Sequence, residues 1–396
     1  MKSILIYDTT LRDGAQTEGI SFSVEDKIKI ARRLDDAGFP YIEGGMPGPK
    51  SPADTDFFER MRKAPLPRAR LAAFTSTRRA KIRAADDPTL QLVLNLDTPV
   101  VAVVGKSWDL HVKLVLRTSL AENLEMISDT IRLLKAKGRE AILDSEHFFD
   151  GFARNPEYAL ATLAAAAEAG ADWIVLCDTN GGTTPEVIQA AVEQARRHVA
   201  TPLGIHAHND GELAVANSLA AVAGGAKMVQ GTVNGYGERC GNANLCSIIP
   251  NLQLKQDRRC LPPRALAGLY GLAHYVAEMA NMPPDERQPF VGRSAFTHKG
   301  GLHQDAVLKS PETYEHISPE TVGNQRRMVV SDQSGASAVV HQARAKGLGM
   351  DLTKDSPEAR EILGLLKHME HEGYQFEGAD ASFELLMRRS MGKDQK

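Results

Sequence analysis

The sequence predicts an α/β fold, a parallel (β/α)8 TIM barrel, followed by a small mixed α/β or irregular subdomain and a C-terminal helical subdomain. Three observations predict it. Short apolar runs begin near Ile4, Tyr41, Leu71, Val100, Glu140, Trp173, Leu203 and Met228, and each is followed by a helix-like stretch. Acids, imidazoles and guanidinium groups gather after the runs, where a barrel carries its chemistry. The alternation then lapses beyond Leu254. An open doubly wound sheet is the alternative, because alternation alone does not show closure. No GxGxxG follows an early strand, which argues against a dinucleotide-binding version of that sheet.

The helical elements follow in order. Ser23 ahead of Val24-Glu25-Asp26 marks a helix start, with acids in the first turn. That helix is expected over Glu25 to Ala37, and Gly38 stands where a terminating glycine belongs. Further helices are expected over Leu120 to Lys137, Pro156 to Ala169, Pro185 to His198 and Glu212 to Ala223. Pro156 and Pro185 suit first helical turns, and Gly170 a helix end. The basic stretch KQDRRCLPPR leads into a helical segment, Ala265 to Ala280, and MPPDERQP marks a boundary. Residues 290 to 345 read as irregular and rich in Gly, Ser and His. Two helices follow, Pro357 to Glu372 and Ala379 to Arg389, before a polar end, GKDQK. The expected division is a catalytic barrel over 1–260, a helical linker over 261–289, a subdomain over 290–345 and a helical subdomain over 346–396.

Composition narrows the function classes. The 396 residues are 42% hydrophobic and 24% charged, which excludes global disorder. A formal net charge of -3 gives no sign of a nucleic-acid surface or a polybasic membrane patch. The run Ile4-Leu5-Ile6 is too short for a signal peptide. No stretch approaches the roughly 18 apolar residues of a membrane span. Cys177, Cys240, Cys246 and Cys260 form no CxxC pair, so a zinc knuckle or redox dithiol is not expected. A reduced cytoplasmic protein is the simplest expectation.

The predicted strand ends supply the chemistry. Strand 1 ends in Asp8-Thr9-Thr10-Leu11-Arg12-Asp13-Gly14, strand 5 in Asp144-Ser145-Glu146-His147 and strand 6 in Cys177-Asp178-Thr179-Asn180. Strand 7 contains His206-Ala207-His208-Asn209-Asp210, and strand 8 runs into Asn234 to Asn242. Residues i and i+2 of a strand face one side, so His206 and His208 can grip one ion. Imidazole suits Zn, Mn, Fe or Co, and a carboxylate such as Asp13 completes a mixed set. An HxH alone is weak evidence; its place on a barrel strand opposite an acid strengthens it. Arg12 beside Asp13 points to oxyanion stabilisation, against the commoner reading of a surface ion pair. Glu146 is an acid, a base or an orienter of one, and Thr179 can donate its hydroxyl to a carboxylate. For each alone, a satisfied rim residue is the competing account. Glu238 and Arg239 read as ion pairs holding the last loop, Asp8 and Asp178 as buried supports. Beyond the barrel, SAFTHKGGLHQD carries His298 and His303 on a Gly-rich loop. A His can abstract a proton near neutral pH if it reaches substrate; a solvated loop is the alternative.

These residues carry a resemblance. DTTLRDGAQ (Asp8 to Gln16), HAHND (His206 to Asp210), GYGERCGNANL (Gly235 to Leu245) and GGLHQDAVLKSPETYEHISPETVG (Gly300 to Gly323) span most of the chain. Jointly they resemble the 2-isopropylmalate, homocitrate and citramalate synthases, a family of metal-dependent TIM-barrel acyltransferases. GKSWDLHV (Gly105 to Val112) and DSEHFFDGF (Asp144 to Phe152) look most like the citramalate branch. The resemblance implies Asp13, His206 and His208 as ligands of a divalent metal (Zn, Mn, Mg or Co), with Asn242 at or near them. It implies that Arg12 binds and polarises the oxo acid, and that Asp144 and Thr179 join the substrate-binding set. It places Glu146 beside the reacting centre and makes His303 the candidate base, with Tyr314 as a second contributor. Both would reach in from the appended region, within a homodimer of shared active sites. The implied reaction is acetyl-CoA plus pyruvate plus water to (R)-citramalate and CoA, on the route to isoleucine. 2-Isopropylmalate synthase using 2-oxoisovalerate is the nearest alternative, then homocitrate synthase or a 3-hydroxy-3-methylglutaryl-CoA lyase. Family members of this branch usually continue into a regulatory domain; this sequence stops at Lys396, so the expectation is either a piece of a longer chain or a protein without that domain.

Overall fold

Runs of β-branched and apolar residues bounded by helical segments pair side by side and bury both faces. In the computed structural model, which describes residues 2–331 and 333–392, that pairing closes on itself. A short β1 (Lys2–Ser3) precedes eight parallel strands: β2 (Leu5–Asp8), β3 (Tyr41–Gly45), β4 (Arg70–Ser76), β5 (Val100–Lys106), β6 (Glu140–Glu146), β7 (Trp173–Asp178), β8 (Leu203–Ala207) and β9 (Met228–Gly231). They form a closed barrel in chain order. Closure is made by β2 against β9, with Leu5 opposite Met228 and Asp8 opposite Gly231. The open-sheet alternative is thereby excluded. β10 (Arg258–Arg259) pairs with β1 below the barrel.

The chain divides into two units, Met1–Pro284 and Asp285–Lys396, and the division falls inside MPPDERQP. In the first unit, Tyr7, Tyr41, Phe74, Ile142, Val175 and Met228 fill the barrel interior. The helices Val24–Ala37, Leu120–Ala136, Pro156–Glu168, Pro185–His198 and Ala214–Gly224 surround it. Ser23 closes a capping box with Asp26, the kind of cap that stabilises a helix by about 1 kcal/mol. Gly38 ends that helix at φ 85°, in the left-handed region.

Two expected helices differ. The segment expected over Ala265 to Ala280 breaks at Gly268 into Pro263–Ala267 and Leu269–Met279, because glycine in a helix interior forfeits conformational entropy. Glu212 has φ 59°, so the helix expected from it begins at Ala214. After β5, a turn over Asp109–His111 passes into a π-helical turn, Val112–Leu116, which periodicity does not signal.

In the second unit, β11 (Thr297–His298) pairs in parallel with β12 (Arg327–Met328). Val339, Ile362, Leu366, Phe383 and Met387 form its core, drawn from the helices Ala336–Ala345, Pro357–His371 and Asp380–Ser390. The segment 290–345 is more ordered than its composition suggests. His303 stands on a helix, Gly301–Lys309, and not on a loop. The glycines explain this: Gly300 caps the helix, and a Cβ at Gly301 would press on Gly335 N, so they begin the helix without interrupting it. The expected polar end extends into residues 393–396, outside the described residues. Among the described residues, no helix is long and apolar enough to cross a membrane.

Candidate metal centre and active site

Strand alternation builds the site in layers. Tyr41, Ile142 and Met228 face the barrel interior; two residues further along the same strands come Glu43, Asp144 and Gln230. A period of two keeps these polar groups on the inner face, above the apolar filling. All three are buried. Sequence reading passed over Glu43 and Gln230. The available signal was a single acid or amide inside an apolar strand, two residues after an inward aromatic or methionine.

Asp13, His206 and His208 converge. Their ligand atoms lie within 4.8 Å of one another, and all three side chains are buried. His206 Nε2 is 3.2 Å from Asp13 Oδ2 and 3.4 Å from His208 Nε2. Asn242 Nδ2 donates to Asp13 Oδ2 at 2.9 Å. Asn242 Oδ1 and His208 Nδ1 are buried without a hydrogen-bond partner. An isolated bridge pairs His208 with Asn242, so the loop after β9 is held against the end of β8. A Cβ at Gly237 would collide with Asn242 Oδ1, which explains a glycine there.

The nitrogen–oxygen donor set suits a divalent cation. Gln230 decides which imidazole nitrogen is available: its Nε2 donates to Asp144 Oδ1 at 3.0 Å, so its Oε1 faces His206 Nδ1 at 2.9 Å. His206 Nδ1 therefore faces Gln230 with a hydrogen, and Nε2 is the nitrogen that faces Asp13 and His208. Burial opposes a charge on this imidazole, yet the Asp13 carboxylate raises its pKa, so a cation bound here would take the place of the Nε2 proton. Burial first, then the neighbouring His206, pushes His208 down to about 4, which favours a neutral, ligating imidazole. Burial opposes the Asp13 carboxylate, yet Arg12 and then His206 hold its pKa well below the usual range. The cluster thus gathers two imidazoles and an ionised carboxylate around one point, and the orphaned Asn242 oxygen lies beside it.

Arg12 is fixed on three sides. Its Nε donates to Glu43 Oε1 at 2.6 Å, its Nη1 is 3.3 Å from Asp13 Oδ2, and its guanidinium lies 3.9 Å from the centroid of the Phe74 ring. Tyr7 donates its hydroxyl to Glu43 Oε2 at 2.6 Å. Removing one partner from such a buried ion-pair network costs roughly 3–5 kcal/mol. Burial, then Glu43, pushes Asp144 up to about 7.

The remaining predicted residues are distributed as follows. Glu146 pairs with Lys106 at the end of β5, a partner the sequence did not suggest. Thr179 Oγ1 accepts from His147 N at 2.9 Å, which leaves its own proton free to donate. Arg239 makes two hydrogen bonds to Asp210, at 2.7 and 2.8 Å, and a third to Thr179 O. It ties the last three strand-end loops together, with Glu238 more distant at 3.7 Å. Asp8 and Asp178 are buried, each bonded to a nearby threonine hydroxyl. The segments after β5 and β6 meet directly: Trp108 stacks on His111 at 5.3 Å, and His111 lies 4.1 Å from His147. A Cβ at Gly151 would strike Ser107 O and Trp108 Cα, so that contact requires glycine. In the second unit, His303 stacks on Tyr314 at 4.1 Å, and Tyr314 is exposed.

Comparison with known proteins adds the following. Residues 3–271 match the HMGL-like family and residues 290–373 the homocitrate synthase post-HMGL domain-like family. The (R)-citramalate synthase of Synechocystis sp. is 56% identical, over 99% of this chain and 73% of that protein. That of Geobacter sulfurreducens is 53% identical, over 100% of this chain and 74% of that protein. The HMG-CoA lyase structure from Bacillus subtilis superposes with a TM-score of 0.60 at 21% identity, over 72% of this chain and 96% of that one, a likeness of fold.

Proposed function

We propose the reaction from the premise that the chain belongs to the HMGL-like family, in the branch of the (R)-citramalate synthases. It is an acyltransferase that condenses acetyl-CoA with pyruvate and water, giving (R)-citramalate and CoA. The observation that carries the chemistry is the meeting of Arg12, Asp13, His206 and His208 at the C-terminal end of the barrel. Those last three residues, with Asn242 beside them, would hold a divalent metal. When bound, it supplies Lewis-acid polarisation of the ketone oxygen.

Each residue of the chain has a task. Arg12, locked by Glu43 and Phe74, meets charge developing on the ketone oxygen with no reorganisation of its own. Thr179 donates to the oxo-acid carboxylate, and Asp144 belongs to the same substrate-binding set. Glu146 stands beside the reacting carbons with its position set by Lys106. The partner's His303 removes a proton from the acetyl methyl group, assisted by the partner's Tyr314. The resulting enolate attacks the ketone carbon, and hydrolysis of the new thioester drives the sequence forward. This assigns a homodimer with shared sites; closed dimers are the commonest assemblies. Isoleucine biosynthesis in the cytoplasm is the setting this reading implies.

A thiol-release assay tests it. With acetyl-CoA held constant, pyruvate should exceed 2-oxoisovalerate in kcat/KM by roughly tenfold or more, because a pocket sized for the methyl group of pyruvate has no room for two more, and overpacking costs about 1–3 kcal/mol. Comparable or reversed values would move the chain to the isopropylmalate branch.

A further inference from the structure

At the end of the barrel where the strands begin, four cations face one cavity. It is lined by Lys2 and Ser3 of β1, Arg196 in the last turn of the helix Pro185–His198, Lys227 just ahead of β9, and Arg258 of β10. The metal ligands lie at the opposite end, where the strands finish. The cavity has a volume of about 570 Å³, within the range of small-molecule sites. No carboxylate lines it. Among the described residues, none of the four cations takes part in an ion pair, although 23 pairs between a Lys or Arg and a carboxylate occur among the others.

Two accounts compete for this arrangement. Helix C-termini converge at this end of a barrel, and cations there offset the exposed carbonyls. Arg196 fits that account, since its Nη1 donates to Gly224 O at 3.3 Å. Arg258 does not fit it. Its Nε is buried and has no hydrogen-bond partner. A buried guanidinium donor left unsatisfied is costly, and a ligand oxygen at the cavity wall would remove that cost.

We propose that this cavity binds a phosphorylated small molecule. Guanidinium forks match phosphate oxygens bidentately, and lysines add compact charge. Four cations without a counter-charge suit a ligand bearing more than one phosphate. The volume exceeds what a bare phosphate fills, and the buried Val222 offers apolar contact to an organic remainder. A phosphate ester is therefore the class, and a bis-ester its tighter member.

Isothermal titration of the full-length, metal-loaded protein tests this. The probes are inorganic phosphate, glycerol 2-phosphate and fructose 1,6-bisphosphate. The bis-ester should bind most tightly and inorganic phosphate most weakly. Arg258→Gln should weaken the bis-ester roughly 10- to 100-fold, the loss of a charge-assisted hydrogen bond. Lys227 is exposed, so Lys227→Gln supplies a variant whose folding is not at stake, and it should weaken binding in the same direction. Equal affinity in the wild type and both variants would overturn the proposal, as would the absence of saturable binding. Binding of inorganic phosphate ahead of both esters would overturn the assignment to an ester.

Discussion

His206 Nδ1 donates to Gln230 Oε1 across 2.9 Å, from one barrel strand to the next. The bond fixes which nitrogen faces the acid. With Nδ1 toward Gln230, Nε2 is turned to Asp13 and His208 as the nitrogen a cation would take, and Asp144 accepts from the amide nitrogen on the other side.

Replacing Gln230 by methionine should therefore weaken metal binding while leaving the barrel folded. The expected loss is roughly 10- to 100-fold, typical of removing a group that orients a ligating histidine. Competition against a chelator of known affinity measures it, with far-ultraviolet circular dichroism as the fold control. An unchanged affinity would show that His206 needs no orienting partner.

His208→Ala removes a ligand outright. Metal content after dialysis should fall from one equivalent to a small fraction, and citramalate formation should fall with it by more than roughly 100-fold. Elemental analysis of the purified variant decides the matter. Full occupancy would remove His208 from the ligand set.

Asp8 gives a pH prediction. Burial is the dominant cause that pushes its carboxyl from the ordinary 3.8 up to about 7, with the Thr10 hydrogen bonds opposing. The folded state thus binds this proton more tightly than the unfolded chain. The stabilisation is full below the unfolded value and is lost as pH rises towards 7, by up to about 1.4 kcal/mol per pH unit. Asp8→Asn removes the titration. Subtracting the variant's unfolding free energy from the wild type's, by urea titration between about pH 4.5 and 7, should give a difference that declines with pH. A flat difference would mean that Asp8 is charged in the folded protein.

Assembly is tested by complementation. His303→Ala and Arg12→Ala should each be inactive alone. After subunit exchange, heterodimers should regain one intact site, combining the first variant's barrel with the second variant's His303. Activity that stays at the level of the separate variants, with exchange confirmed by mass, would place His303 in its own subunit's site or outside catalysis.

Much of the architecture is legible in the chain because two periodicities report it directly. All eight barrel strands start at or within one residue of the apolar runs. Closure is not legible, since nothing in Leu5 to Asp8 announces Met228 to Gly231 as its neighbour. The meeting of His206 and His208 follows from strand parity alone. Glu43 and Gln230 escape notice because one polar residue in a short strand reads equally well as facing outward. The helix at His303 is hidden by its flanking glycines, whose caps resemble a loop until Gly335 is seen packed against Gly301.

Gly151 couples two stretches of chain that strand β6 separates. The turn bearing Trp108 can rest where it does only because no side chain stands at position 151. An engineer grafting the stretch after β5 from this enzyme onto another barrel would have to transplant the stretch after β6 with it. Moved alone, the stretch after β5 meets a methyl group wherever the host carries a side chain at the position of Gly151. The rim is thus a two-piece cassette, and libraries that recombine the pieces independently should be poor in folded members.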